Sequence, residues 1–150
     1  MPRNDGFFIM SEIYGVTFPI PKSLVSRFLE DKKTVFIKPS SVYSALKPGM
    51  VFVIYQSQKD TGYVAEGLIK KIVFSEDPIL FFDEFGEAIF LTKEEVEEYV
   101  KNTKKWRPHI RIRYPRQRKW MAIELEKIIK YKEIQKPERF VSVGGKYLKK

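Results

Sequence analysis

The chain has 150 residues, with 28 Lys or Arg against 19 Asp or Glu and a formal charge of +9. It contains no Cys and a single His, His109. That excludes disulfides, thiolate metal sites, cysteine nucleophiles and multi-histidine metal centres, and no cofactor is expected. A hydrophobic content of 43% suits a folded globule. No apolar run approaches the roughly 18 residues needed to cross a bilayer, and the N-terminus lacks a secretory pattern, so a cytoplasmic protein without a membrane partner is expected. Asn and Gln are scarce while Lys and Glu are plentiful, a balance that points to a thermophilic archaeal source.

Residues 1–11 carry no clear element and read as a disordered N-terminal extension, with Met10 an alternative start; residues 12–150 read as a single domain. Tyr14 to Phe18 is apolar and β-branched and reads as a strand stopped by Pro19 and Pro21. A short helix follows from Pro21, with Leu24, Val25, Phe28 and Leu29 on one face. Thr34 to Ile37 reads as a strand ended by Lys38-Pro39. Ser40 or Ser41 then suits the N-cap of one or two helical turns through Val42, Tyr43 and Leu46. After the Lys47-Pro48-Gly49 turn, Met50 to Ser57 reads as a strand buried on both faces. Asp60-Thr61-Gly62 marks a hairpin turn, and Tyr63 to Phe74 its return strand.

Glu76 to Glu87 is acidic and aromatic, with a helical turn expected around Leu80 to Phe85. Thr92-Lys93-Glu94-Glu95 has the form of a capping box, opening a helix expected to run to about Asn102 with Val96 and Tyr99 turned inward. Ile110, Ile112 and Tyr114 alternate with Arg111 and Arg113 at strand period. Trp120 to Leu125 reads as a further strand, and Gly144-Gly145 as a turn before Tyr147-Leu148. The fold class expected is α+β: a small mixed β-barrel of about six strands, with two or three short helices packed on it.

Several phrases resemble the PUA-like superfamily, the small RNA-associated barrels that include ASCH, EVE and YTH domains. They are VFIKPSSVYSALKPGMVFVIYQS paired with GYVAEGLIKKI, the capped helix FLTKEEVEEYV, and LEKIIKYKEI followed by Pro137 and VGGKYL. The chain is most similar to uncharacterised archaeal members. The Gly-x-Lys-x-x-Glu-x-Arg signature of many ASCH domains is missing. The resemblance therefore implies a barrel with a ligand cleft and a bias toward RNA; it does not imply a nuclease reaction or recognition of a methylated base.

The charge is unevenly placed. Lys101 to Trp120 holds nine Lys or Arg and no acid, which equals the whole excess of +9. Arg111 and Arg113 at two-residue spacing make a positive ridge on one face of a strand, which Arg116, Arg118 and Lys119 extend. Guanidinium groups take phosphate bidentately and stack on bases, so the ridge suits a nucleic-acid backbone. The alternative is internal neutralisation. Residues 76–98 hold nine acids against Lys93 alone, and packing of the two segments would pair the charges.

Other candidates have similar alternatives. Lys38 and Ser40, at a strand end and a helix start, suit an anion, or simply a capped helix. Tyr55 and Ser57 share a strand face and suit the lining of a cleft. Glu66 suits a base's exocyclic amine, or an outer strand face. Trp106, flanked by cations, suits base stacking, whereas Trp120 suits the core. The expected function is thus a non-enzymatic module that binds RNA, a nucleotide or a modified base. The alternatives are an enzyme or sensor acting on a nucleotide or small anionic ligand in the cleft, and a domain that docks an acidic protein.

Overall fold

The computed structural model describes residues 13–39, 43–106, 119–139, 141–142 and 144–149, with 103–106 described by their backbone alone. In chain order the elements are β1 (Ile13–Pro21), α1 (Lys22–Leu29), β2 (Val35–Pro39), β3 (Val51–Ser57), β4 (Gly62–Ser75), α2 (Phe81–Phe85) between two short 3₁₀ turns, α3 (Lys93–Trp106), β5 (Trp120–Gln135) and β6 (Lys146–Lys149).

The six strands form one mixed sheet in the order β2-β5-β4-β3-β1-β6. β1 runs parallel to β3, with Phe18 opposite Ile54, and every other pairing is antiparallel. β1 and β2 stand at fifth and first place in that order, yet the Phe18 and Phe36 rings stack at 5.1 Å. The sheet is therefore curled into a half-barrel, and its concave face holds the core. Phe18, Phe36 and Phe52 meet there at centroid separations of 5.1–5.7 Å. Phe36 continues through Phe90 to Phe28 of α1, which seals one side. The barrel of about six strands with short helices expected from the sequence is the architecture observed.

Close backbone approach makes the curl possible at Gly15. A Cβ there would lie 2.2 Å from the Val51 carbonyl oxygen of β3, so only glycine lets the two strands meet.

Several boundaries differ from those expected. β1 continues through both prolines to Pro21. β6 pairs with it only as far as Thr17, and a proline without its N–H is accommodated where one side of the strand is unpaired. Residues 43–46 form a turn without a helix. The serine N-cap expected for that helix lies outside the described residues. α3 runs past Asn102 to Trp106. β5 reaches Gln135, taking in both the strand from Trp120 and the LEKIIKYKEI stretch, with bulged pairing to β4. The strand expected over 110–114 and the extension over 1–11 lie outside the described residues.

Candidate nucleic-acid interface

The site builds from the rim of the half-barrel where β2 ends. Lys38 lies two residues beyond Phe36, so both face the concave side, and its Nζ stands 5.9 Å from the Phe18 ring centroid. Phe18 meets Tyr43 edge-on at 4.9 Å, and Tyr43 meets Tyr147 of β6 at 5.0 Å. The Tyr43 hydroxyl donates to the Gly144 carbonyl, and the Tyr147 hydroxyl accepts from the Ala45 amide at 3.1 Å. Burial, then the neighbouring Tyr147, pushes the Tyr43 hydroxyl pKa up. This aromatic rim ties the 43–45 turn to the 144–147 segment.

On the far side of β2, Pro39 stands in register with Trp120, the first residue of β5. Trp120 is buried, as expected, and packs edge-on against Tyr99 of α3 at 5.4 Å. That contact brings together α3, whose last turns carry the start of the basic window from Lys101, and β5, which opens at the window's last residue, Trp120. Tyr99 is 48% exposed rather than turned inward. It borders an apolar cleft of about 250 Å³ with Pro19, Pro21, Phe36 and Phe90, where Glu95 is the one charged lining residue.

Glu95 is tightly held. Its two carboxylate oxygens accept from Arg27 of α1 at 2.6 and 3.0 Å, and Arg27 also donates to the Phe90 carbonyl at 2.9 Å. The Thr92 amide donates to Glu95 at 2.8 Å while the Glu95 amide donates to the Thr92 hydroxyl at 3.1 Å, closing the expected capping box. Hydrogen bonding from Arg27 holds the carboxyl down at about 2 against its ordinary 4.5, and burial opposes that only in part. A carboxylate so committed orients α3 and is no general base. Among the described residues, the acidic stretch forms two ion pairs, Glu95 with Arg27 and Glu84 with Lys71. Both partners lie outside the basic window.

The structure separates the residues singled out from the sequence. Lys38 is half-buried at the concave rim, and Lys119 is exposed immediately before Trp120. Tyr55, Ser57 and Glu66 lie together on the opposite, convex face: Val53 pairs with Glu66, and Tyr55 and Ser57 follow Val53 at two-residue steps. Tyr55 is buried, 5.6 Å from the Tyr63 ring, and borders a cleft of about 690 Å³ with Thr61, Lys136 and Arg139. Glu66 accepts a 2.8 Å hydrogen bond from the Tyr131 hydroxyl, whose pKa is raised by burial first and then by that bond. Ser40, Arg111, Arg113, Arg116 and Arg118 lie outside the described residues, as does the side chain of Trp106. The exposed Tyr99 ring and the Phe36–Phe90 cleft have no signal in the sequence. Helical spacing from Val96 gives Tyr99 an inward direction, whereas the ring extends along the α3 surface to Trp120.

Comparison with known proteins agrees with this fold. The crystal structure of ASCH from Zymomonas mobilis superposes with a TM-score of 0.60 at 14% identity, covering 81% of this chain and 73% of that one. A serine-to-alanine mutant of the same Zymomonas protein gives 0.62 at 14% identity, covering 83% and 75%. The fold is thus of the PUA-like, ASCH type. An uncharacterised protein of Methanocaldococcus jannaschii, MJECS03, is 34% identical over 101 residues, which is 67% of this chain and 90% of the relative. The family model described as "Domain of unknown function (DUF365)" matches residues 13–150. The chain belongs to that DUF365 family, built on an ASCH-type half-barrel.

Proposed function

We propose that the protein is a non-enzymatic RNA-binding module that grips phosphates with its basic segment and seats a base in the aromatic cleft beside it. The observation that carries this reading is the meeting of Tyr99 and Trp120 at 5.4 Å. The segment holding the chain's entire charge excess begins two residues after Tyr99 and ends at Trp120, and Tyr99 itself borders the cleft lined by Phe36 and Phe90. Cations beside exposed planar rings are the combination that binds single strands.

In this reading Arg111, Arg113, Arg116, Arg118 and Lys119 hold phosphates, with Lys38, Ser40 and Trp106 at the rim. Tyr55, Ser57 and Glu66 form a separate convex surface and contact only RNA that passes round the sheet. The test is RNA binding of the Arg111→Ala/Arg113→Ala variant over a salt series. Loss of two phosphate contacts lowers the slope of log affinity against log salt by about 1.4 for a single strand. Unchanged affinity and slope would sink the assignment of the ridge.

A further inference from the structure

A second cationic cleft lies away from this rim, between the end of α1 and the second half of β5. It encloses about 280 Å³ and is lined by Lys32, Lys33, Lys127 and Lys130 over a floor that includes Phe28 and Ile128. Glu126 is the one carboxylate in the lining; Asp31 lines the neighbouring cleft instead. Lys33 donates to the Glu87 carbonyl at 2.6 Å. Lys32, Lys127 and Lys130 form no ion pair with any described carboxylate.

Two further features mark the place. Lys32 and Lys127 have φ of 58° and 53°, left-handed backbone that a residue other than glycine seldom adopts. The Leu125 amide bonds to the Thr34 carbonyl at 2.7 Å. Beyond that rung, β5 pairs with β4 alone among the described residues, so one backbone edge from Glu126 onward is open. Lysines on an open edge also discourage pairing with another strand. Here, however, two of them share a cleft with two lysines of the α1–β2 connection, and that connection is no edge.

We infer that this lysine cleft is a second phosphate-binding site, occupied by the backbone of the same RNA strand that fills the rim. The inference rests on the RNA-binding reading above. Seven residue steps of β5 carry the strand from Trp120 to Lys127, at most about 23 Å. A stacked strand rising roughly 3.4 Å per nucleotide spans that in about seven nucleotides. A tetranucleotide therefore reaches one site, and a 16-mer reaches both.

The experiment compares single-stranded RNA of four and of sixteen nucleotides against the full chain and its Lys32→Asn/Lys127→Asn/Lys130→Gln variant. Asn is chosen because it tolerates left-handed backbone, and an unchanged melting temperature confirms folding. The expected result is a loss of about a hundredfold in 16-mer affinity near 0.1 M salt, with the salt slope lower by about two and tetranucleotide binding unaltered. Full 16-mer affinity in the variant, with binding lost in Arg111→Ala/Arg113→Ala, overturns the second site and leaves the RNA reading standing. Equal losses for both lengths overturn it too, because the lysines would then act at the rim or through net charge. A wild-type chain that binds neither length fails the RNA reading itself. Tighter capture of a polyglutamate 16-mer than of RNA, abolished in the variant, reassigns the cleft to an acidic protein and also overturns the inference.

Discussion

At Gly145 the backbone has φ +75°, and a Cβ would sit 2.4 Å from the Phe18 ring. Gly145→Ala is expected to cost roughly 2–4 kcal/mol, combining left-handed strain with overpacking against a ring that cannot withdraw; a denaturant midpoint measures it. The Arg27–Glu95 pair gives a prediction in pH. Glu95 is depressed from 4.5 to about 2 in the folded state, so its contribution is fully present above pH 4.5 and fades as pH falls toward 2. Partial exposure screens the pair, leaving on the order of 1 kcal/mol. Melting temperatures of wild type and Glu95→Gln should differ at pH 6 and converge near pH 2. A constant gap across that range would show that the charge contributes nothing. The capping box is readable from Thr92-Lys93-Glu94-Glu95, because its partners are three residues apart. Arg27 is not, because it lies 68 residues away.

Among the elements, α3 links the core to the interface. Val96 is fully buried under it while Tyr99 is half out, leaning on Trp120. Tyr99→Ala should leave stability nearly unchanged and weaken RNA binding by about 1–3 kcal/mol, the usual value of one stacked base; equal affinity for both proteins would remove Tyr99 from the interface. Strand and turn positions are legible wherever local chemistry decides them, as at Lys47-Pro48-Gly49 and Asp60-Thr61-Gly62. Proline read as a stop for β1 fails, because tolerance of proline depends on whether a neighbouring strand needs its N–H, and β6 ends its pairing at Thr17. Tyr43 to Leu46 has helical spacing, yet it forms a turn whose Tyr43 hydroxyl is bonded to Gly144.

At the level of the whole molecule, the half-barrel is closed by rings. Phe36 touches Phe18, Phe52 and Phe90 at 5.1–5.3 Å, bridging β2 to β1, β3 and the strap before α3. Phe36→Ala should destabilise by about 3–5 kcal/mol and lower RNA affinity with it, since the same ring floors the cleft; Phe36→Leu should recover most of the stability. Charge is organised on this scale as well. The described ion pairs of the acidic stretch reach Arg27 and Lys71, while the lysines of the second cleft gather at the opposite end of the first β5 half.

By itself the sequence determined where most of the described strands and helices lie, the alternation of faces along a strand, and the concentration of charge in one segment. These depend on neighbours within a few residues, where side-chain period and turn chemistry decide. Only the tertiary structure decided which faces meet. Strand alternation places Tyr55 and Ser57 together and Phe36 with Lys38. It does not say that curling of the sheet puts the first pair on the convex side with Glu66 and the second on the concave rim. Nor does it bring Lys32 beside Lys127 or Tyr99 onto Trp120. Those neighbours are set by long-range pairing and by the packing of rings that close the sheet, and no local pattern encodes them.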